Sequence, residues 1–253
     1  MRIRNIRLTI EYDGTRYHGW QYPKKEDSAT VSEKIREVLR RMTEGEVKLF
    51  CGEKTDPGVH ALQQIVNFKT SSQMPETEIR LYLNRYLPLD IAVRDVTEVS
   101  ERFHAELNPR VITYQYHMLV GDTEDVFRRR YVDFRTDMPD IGQMRKGAER
   151  IRGCHDFKAF SVGKTKKSTV REVMDCRLFQ TEDCNIGYKD IYIIISANGF
   201  LRQMPQKIIG TLLDIGYGKR EYANIESILE GCGAASADCA NHALFLKEVR
   251  YKE

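Results

Sequence analysis

The hydrophobic period of the N-terminal half switches between two and about 3.6 residues in the order β-α-β-β-α-β, and that order constrains the fold more than any single motif. Over Asn5 to Asp13, Ile6, Leu8, Ile10 and Tyr12 alternate with polar residues, as in a half-buried strand ending at Asp13-Gly14. Thr30-Val31-Ser32-Glu33 then fits a capping box, and Val31, Ile35, Val38, Leu39 and Met42 recur at helical spacing. Val47 to Cys51 and Leu62 to Lys69 read as antiparallel strands joined through residues 52–61, where Asp56-Pro57-Gly58 is a strong turn signal. Ile79, Tyr82, Leu83 and Tyr86 mark a second helix over Glu76 to Tyr86, which stops before Pro88 and is followed by a strand over Ile91 to Val99. This order predicts an antiparallel sheet with both helices on one face and the other face open.

The second half follows the same plan by order of elements, without a residue-level repeat. A strand carries Tyr114, Tyr116 and Met118, and a helix carries Ile141, Met144, Ala148 and Ile151. Strands over Ser168 to Gln180 and Tyr188 to Ala197 follow, then a helix from about Gly199 to Ile215. A short helix near Tyr222 to Glu230 precedes a last strand over Ala243 to Tyr251. Asn108-Pro109 breaks the run between the halves. The expected architecture is therefore α+β, two tandem ferredoxin-like halves with mainly antiparallel sheets, 1–108 and 109–253, the first carrying the Asp56 turn.

Composition narrows the class. The 253 residues are 41% hydrophobic and 30% charged, which excludes a disordered chain and a collagen-like repeat. Ile191 to Ala197 is the most apolar stretch, and Tyr192 and Ser196 interrupt it, so no membrane span is expected. The N-terminus lacks the apolar block of a signal peptide, which predicts a cytoplasmic protein. Six cysteines without CxxC or CxH spacing read as free thiols, with no metal ligand set among them. Forty Lys and Arg against 37 Asp and Glu leave a net charge of +3, too mild to announce a nucleic-acid partner.

Local clusters say more than the total. Arg2, Arg4 and Arg7 lie on the first strand, Lys24 and Lys25 in a polar loop, and Arg128, Arg129, Arg130, Lys164, Lys166 and Lys167 in loops where long cations reach a polyanion. Open sheet faces beside such clusters suit RNA. The connection from Gly52 to Ala61 gathers Lys54, Asp56 and His60 between two apolar strands, and Pro57 biases Asp56 away from helix toward an exposed turn.

Tyr12-Asp13-Gly14-Thr15, Tyr17-His18-Gly19-Trp20-Gln21, Lys54-Thr55-Asp56-Pro57-Gly58-Val59-His60-Ala61, Phe103-His104-Ala105, Thr113-Tyr114-Gln115-Tyr116, His155-Asp156-Phe157, Asn198-Gly199-Phe200-Leu201 and Ile208-Ile209-Gly210-Thr211-Leu212 follow one another along nearly the whole chain. Together they resemble the TruA family of tRNA pseudouridine synthases. The resemblance implies an active-site cleft between the two halves, a homodimer, and isomerisation of uridine to pseudouridine at positions 38 to 40 of the tRNA anticodon stem-loop, with no cofactor and no metal. It implies that Asp56 is the essential aspartate and that Tyr114 stacks on the target base and takes the C5 proton. Arg128, Arg129, Arg130, Lys164, Lys166, Lys167 and His60 are expected on the RNA.

Several positions depart from the family pattern. Lys54 stands for an arginine two residues before the aspartate, and Pro57 for the alanine after it. The family's Met-Val-Arg-Asn is Met204-Pro205-Gln206-Lys207, so Gln206 replaces the arginine that pairs with the aspartate, and Lys54 and Lys207 are the expected substitute cations. Glu106, Ile112 and Gln115 replace further arginines, and Pro205 predicts a kink unless it lies in the first helical turn. Two readings follow: an active synthase, on the anticodon stem-loop or on another tRNA site or ribosomal RNA, or a divergent RNA-binding paralogue with weak or no catalysis.

Overall fold

The computed structural model describes residues 2–21, 29–163, 166–182 and 187–252; the polar loop with Lys24 and Lys25, Lys164 and Cys184 lie outside the described residues. The chain is α+β with mainly antiparallel strand pairing and divides into two compact units, 1–110 with 246–253, and 111–245.

In the first unit, β1 (Arg4–Tyr12) runs between β3 (His60–Thr70) and β4 (Ile91–Val99), antiparallel to both. β2 (Phe50–Cys51) pairs antiparallel with β3, shorter than the expected 47–51. β10 (Leu244–Tyr251) lies next to β3 in the sheet order. The alternation in β1 buries Ile6, Leu8 and Ile10 completely, opposite Phe68 and Val66 of β3. Each such side chain contributes roughly 1.5–3 kcal/mol relative to leaving it in water, so a one-residue slip of register would be opposed by several kcal/mol. The helices are α1 (Val31–Thr43) and α2 (Glu76–Tyr86). Thr30 caps α1 as expected, its hydroxyl accepting from the Glu33 amide at 3.3 Å.

The face of this sheet expected to stay open is partly covered. Asn5 and Asn67, on the side away from Ile6 and Leu8, bond to each other at 2.8 Å. Asn5 also donates to the carbonyls of Ser100 and Phe103, and the Ala105 amide donates to Asn67, which draws residues 100–105 onto that face. Phe50 then packs on His104 with ring centroids 4.2 Å apart, and Phe103 on Tyr251 at 5.0 Å. Buried amides with their valences met this way hold a segment that has little apolar content of its own.

In the second unit, β5 (Pro109–Val120) pairs antiparallel with β9 (Lys189–Ala197), β9 with β8 (Val170–Glu182), and β8 with β7 (Gly153–Asp156). β6 (Asp133–Arg135) pairs parallel with β5. The short strands β6 and β7 carry too few residues to show a period, so no sequence pattern marks them. The helices are α3 (Ile141–Ile151), α4 (Met204–Gly216) and α5 (Asn224–Leu229). Gly147 lets α3 approach its neighbours: a Cβ there would meet Ile215, Ile225 and Leu212 at 3.0–3.1 Å. Helix α4 begins at Met204 rather than near Gly199, because Gln203 adopts a left-handed conformation at φ 58° that no continuing helix allows. Pro205 therefore falls in the first turn, where its missing N–H costs no helical bond, and α4 is not kinked by it.

A buried polar network anchors β5. Tyr116, fully buried, donates its hydroxyl to Asp133 at 2.7 Å and accepts from the Ala240 amide at 3.3 Å. Arg135 bonds the same carboxylate at 3.0 Å and reaches Asp238 at 3.3 Å. Burial pushes the Tyr116 phenol well above its ordinary range, so it stays a donor. Asp133→Ala leaves that phenol and guanidinium without their shared acceptor, and the expected loss is about 3 kcal/mol, read as a lower urea midpoint at unchanged slope.

Candidate functional site

The Asp56 connection is held at both ends before any chemistry is considered. The Gly52 amide donates to the Ile65 carbonyl at 2.8 Å, and the Gln64 side chain exchanges hydrogen bonds with the Glu53 backbone at 3.2 and 2.5 Å. Thr55 is buried, its hydroxyl 2.8 Å from the Tyr12 hydroxyl, and its carbonyl accepts from the Trp20 amide at 3.0 Å. The turn closes on itself where the Val59 amide donates to the Asp56 carbonyl at 3.1 Å, with Gly58 at φ 77°. The Asp56 side chain is half-buried, open enough to meet a ligand and fixed through its backbone.

Residues 13–20 form a frame around this turn. Asp13 caps a single 3-10 turn, Gly14–Arg16, by accepting from the Thr15 amide at 2.9 Å. Gly14 lies so close to Val59 that a Cβ would fall 2.1 Å from its carbonyl oxygen, and a Cβ on Gly19, at φ 81°, would fall 2.5 Å from the Thr55 oxygen. The Gly58 amide donates to the Tyr17 carbonyl at 3.3 Å. His60, expected on the RNA, is 2% exposed, and its Nδ1 accepts from the Gly14 amide at 3.0 Å, so the ring braces the frame against the turn. In the sequence, residues 12–15 show only the end of a strand at Asp13-Gly14. In the fold they press on a loop more than forty positions away, a relation no local pattern carries.

The two cations expected to serve Asp56 bond to Glu106 and to the Ala159 carbonyl. Lys54 Nζ lies 3.1 Å from Glu106 Oε1, with both side chains about half exposed. The two departures from the family pattern thus meet as an ion pair of the exposed kind, worth at most about 1 kcal/mol and displaceable by a stronger anion. Lys207 Nζ donates to the Ala159 carbonyl at 3.3 Å.

In the second unit Tyr114 is buried on β5 opposite Ile195, its ring edge-on to Phe200 with centroids 5.1 Å apart and planes at 87°. Gln206 is buried in the first turn of α4, one residue before Lys207. Arg128 is committed within its unit: it donates to Asp125 at 2.7 Å and to Asp190 at 2.9 Å, and lies 5.4 Å over the Tyr188 ring. Arg129, Arg130, Lys166 and Lys167 are exposed. On the first strand, Arg4 is buried and bonds Glu98 and the carbonyls of Ser72 and Met74, so it serves the fold instead of a ligand. Among the described residues, no group of three His, Cys, Asp or Glu side chains could hold a metal ion, and no helix is long and apolar enough to cross a membrane.

The framed aspartate turn belongs to the first unit and the ring-packed tyrosine to the second. The family model described as tRNA pseudouridine synthase matches residues 8–108 and 148–252. The chain belongs to the TruA family of tRNA pseudouridine synthases. A Bacillus cereus protein named tRNA pseudouridine synthase A 2 is 36% identical over 252 residues, covering 98% of this chain and all of that one. A Thermoanaerobacter protein named tRNA pseudouridine synthase A is 38% identical, and a Clostridium perfringens tRNA pseudouridine synthase A 2 is 39% identical, each covering 90% of this chain and 91% of its own. Membership of the TruA family therefore extends over nearly the full length of both partners. Asp56 and the frame residues Asp13, Gly14, Tyr17, Gly19 and His60 all fall inside the first matched segment.

Proposed function

We propose that this TruA-family chain isomerises uridine to pseudouridine in tRNA, at positions 38 to 40 of the anticodon stem-loop. The half-buried Asp56 carboxylate, fixed by its backbone in a turn that residues 12–20 and β3 hold, is the observation that carries this reading. The reaction breaks the N1–C1′ bond, turns the detached uracil, and joins C5 to C1′; the C5 proton leaves and N1 regains a proton, so nothing is added or lost overall. An ionised carboxylate starts it by attacking C1′ or by removing the C2′ proton to pass through a glycal, and either way the uridine must leave its stack to reach it.

The division of labour follows the halves expected from sequence, each on a ferredoxin-like plan. Residues 1–108 bring the aspartate, and 109–253 bring Tyr114, which stacks on the base and receives the C5 proton. Of the described cations expected on the RNA, Arg129, Arg130, Lys166 and Lys167 have exposed side chains that phosphates can reach. The protein acts as a homodimer, as the resemblance implies, in the cytoplasm. The test is pseudouridine mapping on unmodified tRNA transcripts incubated with the purified protein. Conversion confined to uridines 38 to 40 is expected; conversion elsewhere moves the target, and no conversion in any transcript leaves the chain an RNA-binding paralogue.

A further inference from the structure

Asp90, in the turn that leads into β4, lies outside every motif that carries the resemblance, yet four hydrogen bonds from residues 13–17 converge on it. Its carboxylate accepts from Arg16 Nε at 2.9 Å, from Arg16 Nη2 at 2.5 Å and from the Tyr17 hydroxyl at 2.6 Å. Its backbone carbonyl accepts from the Asp13 amide at 2.9 Å. The turn is itself closed, the Ile91 amide donating to the Pro88 carbonyl at 3.0 Å, so Asp90 is a fixed point rather than a mobile one.

Tyr17 transmits this anchor. It is 6% exposed, and both its ends are occupied: the phenol is on Asp90, and the main-chain carbonyl accepts from Gly58, two residues after Asp56. Its own amide donates to the Gly14 carbonyl at 3.0 Å, and a Cβ on Gly14 would fall 2.1 Å from the Val59 carbonyl oxygen. A path of one side-chain and one main-chain hydrogen bond thus runs from the Asp90 carboxylate through Tyr17 to the turn that holds the reactive carboxylate. Burial and the Asp90 carboxylate both push the Tyr17 phenol upward, so it remains a donor throughout the working range.

We infer that Asp90 is a positioning residue for the reaction: through Tyr17 it sets the place of the Gly58 amide, and so of Asp56, without touching the substrate. An ordinary stabilising role would lower the melting temperature and leave the bound-state chemistry alone. A positioning role predicts the opposite weighting, since a displacement of about 1 Å in a reacting group costs on the order of 100-fold in rate. The inference rests on the proposed activity, and one of its readouts does not.

Asp90→Asn keeps the shape and an acceptor oxygen but loses the charge that Arg16 and Tyr17 share; Tyr17→Phe removes the donor alone. Each is expected to lower the single-turnover rate of pseudouridine formation at saturating tRNA by about tenfold or more, with tRNA affinity unchanged within about twofold. The double variant is expected to be no slower than the worse single one, because both cut the same path. Hydrogen exchange at the Gly58 and Val59 amides is expected to accelerate in both variants, while amides in α2 keep wild-type protection. Unchanged turnover, multiplicative losses, a fall in tRNA affinity with turnover intact, or unchanged exchange at Gly58 would each overturn the inference. Should the wild-type chain make no pseudouridine, the exchange result decides the inference alone, separately from the failed activity.

Discussion

Asp56→Asn is expected to lower pseudouridine formation by about 1,000-fold or more while tRNA affinity stays within about threefold of wild type. The substitution exchanges one oxygen for an amide nitrogen of the same size, so the turn that holds the residue is not disturbed: the backbone bonds from Trp20 to Thr55, from Val59 to Asp56 and from Gly58 to Tyr17 involve no Asp56 side-chain atom. What disappears is an ionised oxygen able to attack C1′ or accept the C2′ proton. Release of tritium from tRNA labelled at uridine C5 measures the step directly, because that hydrogen leaves only as pseudouridine forms. A variant that keeps more than a tenth of the wild-type rate would assign the chemistry to another group. Lys54→Ala in the same assay removes the lysine of the exposed Lys54–Glu106 pair, and a rate that falls with it would make Lys54 the cation that serves Asp56.

Gly14→Ala is the second large effect, and it touches no catalytic group. A methyl at this position would lie 2.1 Å from the Val59 oxygen and 2.6 Å from its carbon, both backbone atoms that no rotamer change can move. Something must shift by about 1 Å, and the connection carrying Asp56 is the element pressed on the other side; the expected cost is on the order of 100-fold in turnover. Gly45→Ala is the matched control. A Cβ there meets only the Thr43 oxygen, at 3.8 Å, and turnover and melting temperature are expected to stay at wild-type values. Equal activity of the two variants would show that the contact between Gly14 and the turn is slack.

Some of the site is legible from residues alone because its signal is local. The alternation of Ile6, Leu8, Ile10 and Tyr12 marks β1 since a strand displays its two faces within adjacent positions, and Thr30 announces α1 since a cap acts on an amide three residues away. Asp56-Pro57 reads as an exposed turn for the same kind of reason, and the match of the surrounding words to the TruA family extends over both matched segments.

Other features depend on partners distant in sequence. Lys54 is a free cation in the sequence and half of an ion pair with Glu106 in the fold. Arg128 reads as the first of three RNA-facing arginines and is taken up by Asp125 and Asp190. The start of α4 depends on the left-handed Gln203, a conformation that glutamine rarely adopts and that no residue preference foretells. Asp90 gives no signal at all in the sequence beyond ending a turn.

The sequence by itself determined the α+β class, most of the elements and the turn in which the Asp56 carboxylate sits, because each is written in periodicities and turn chemistry a few residues long. The tertiary structure alone decided how that carboxylate is held: Gly14 against Val59, Tyr17 between Asp90 and Gly58, His60 on Gly14. Those contacts join positions about 40 to 75 residues apart, where sequence spacing carries no geometry until the strands between them have paired.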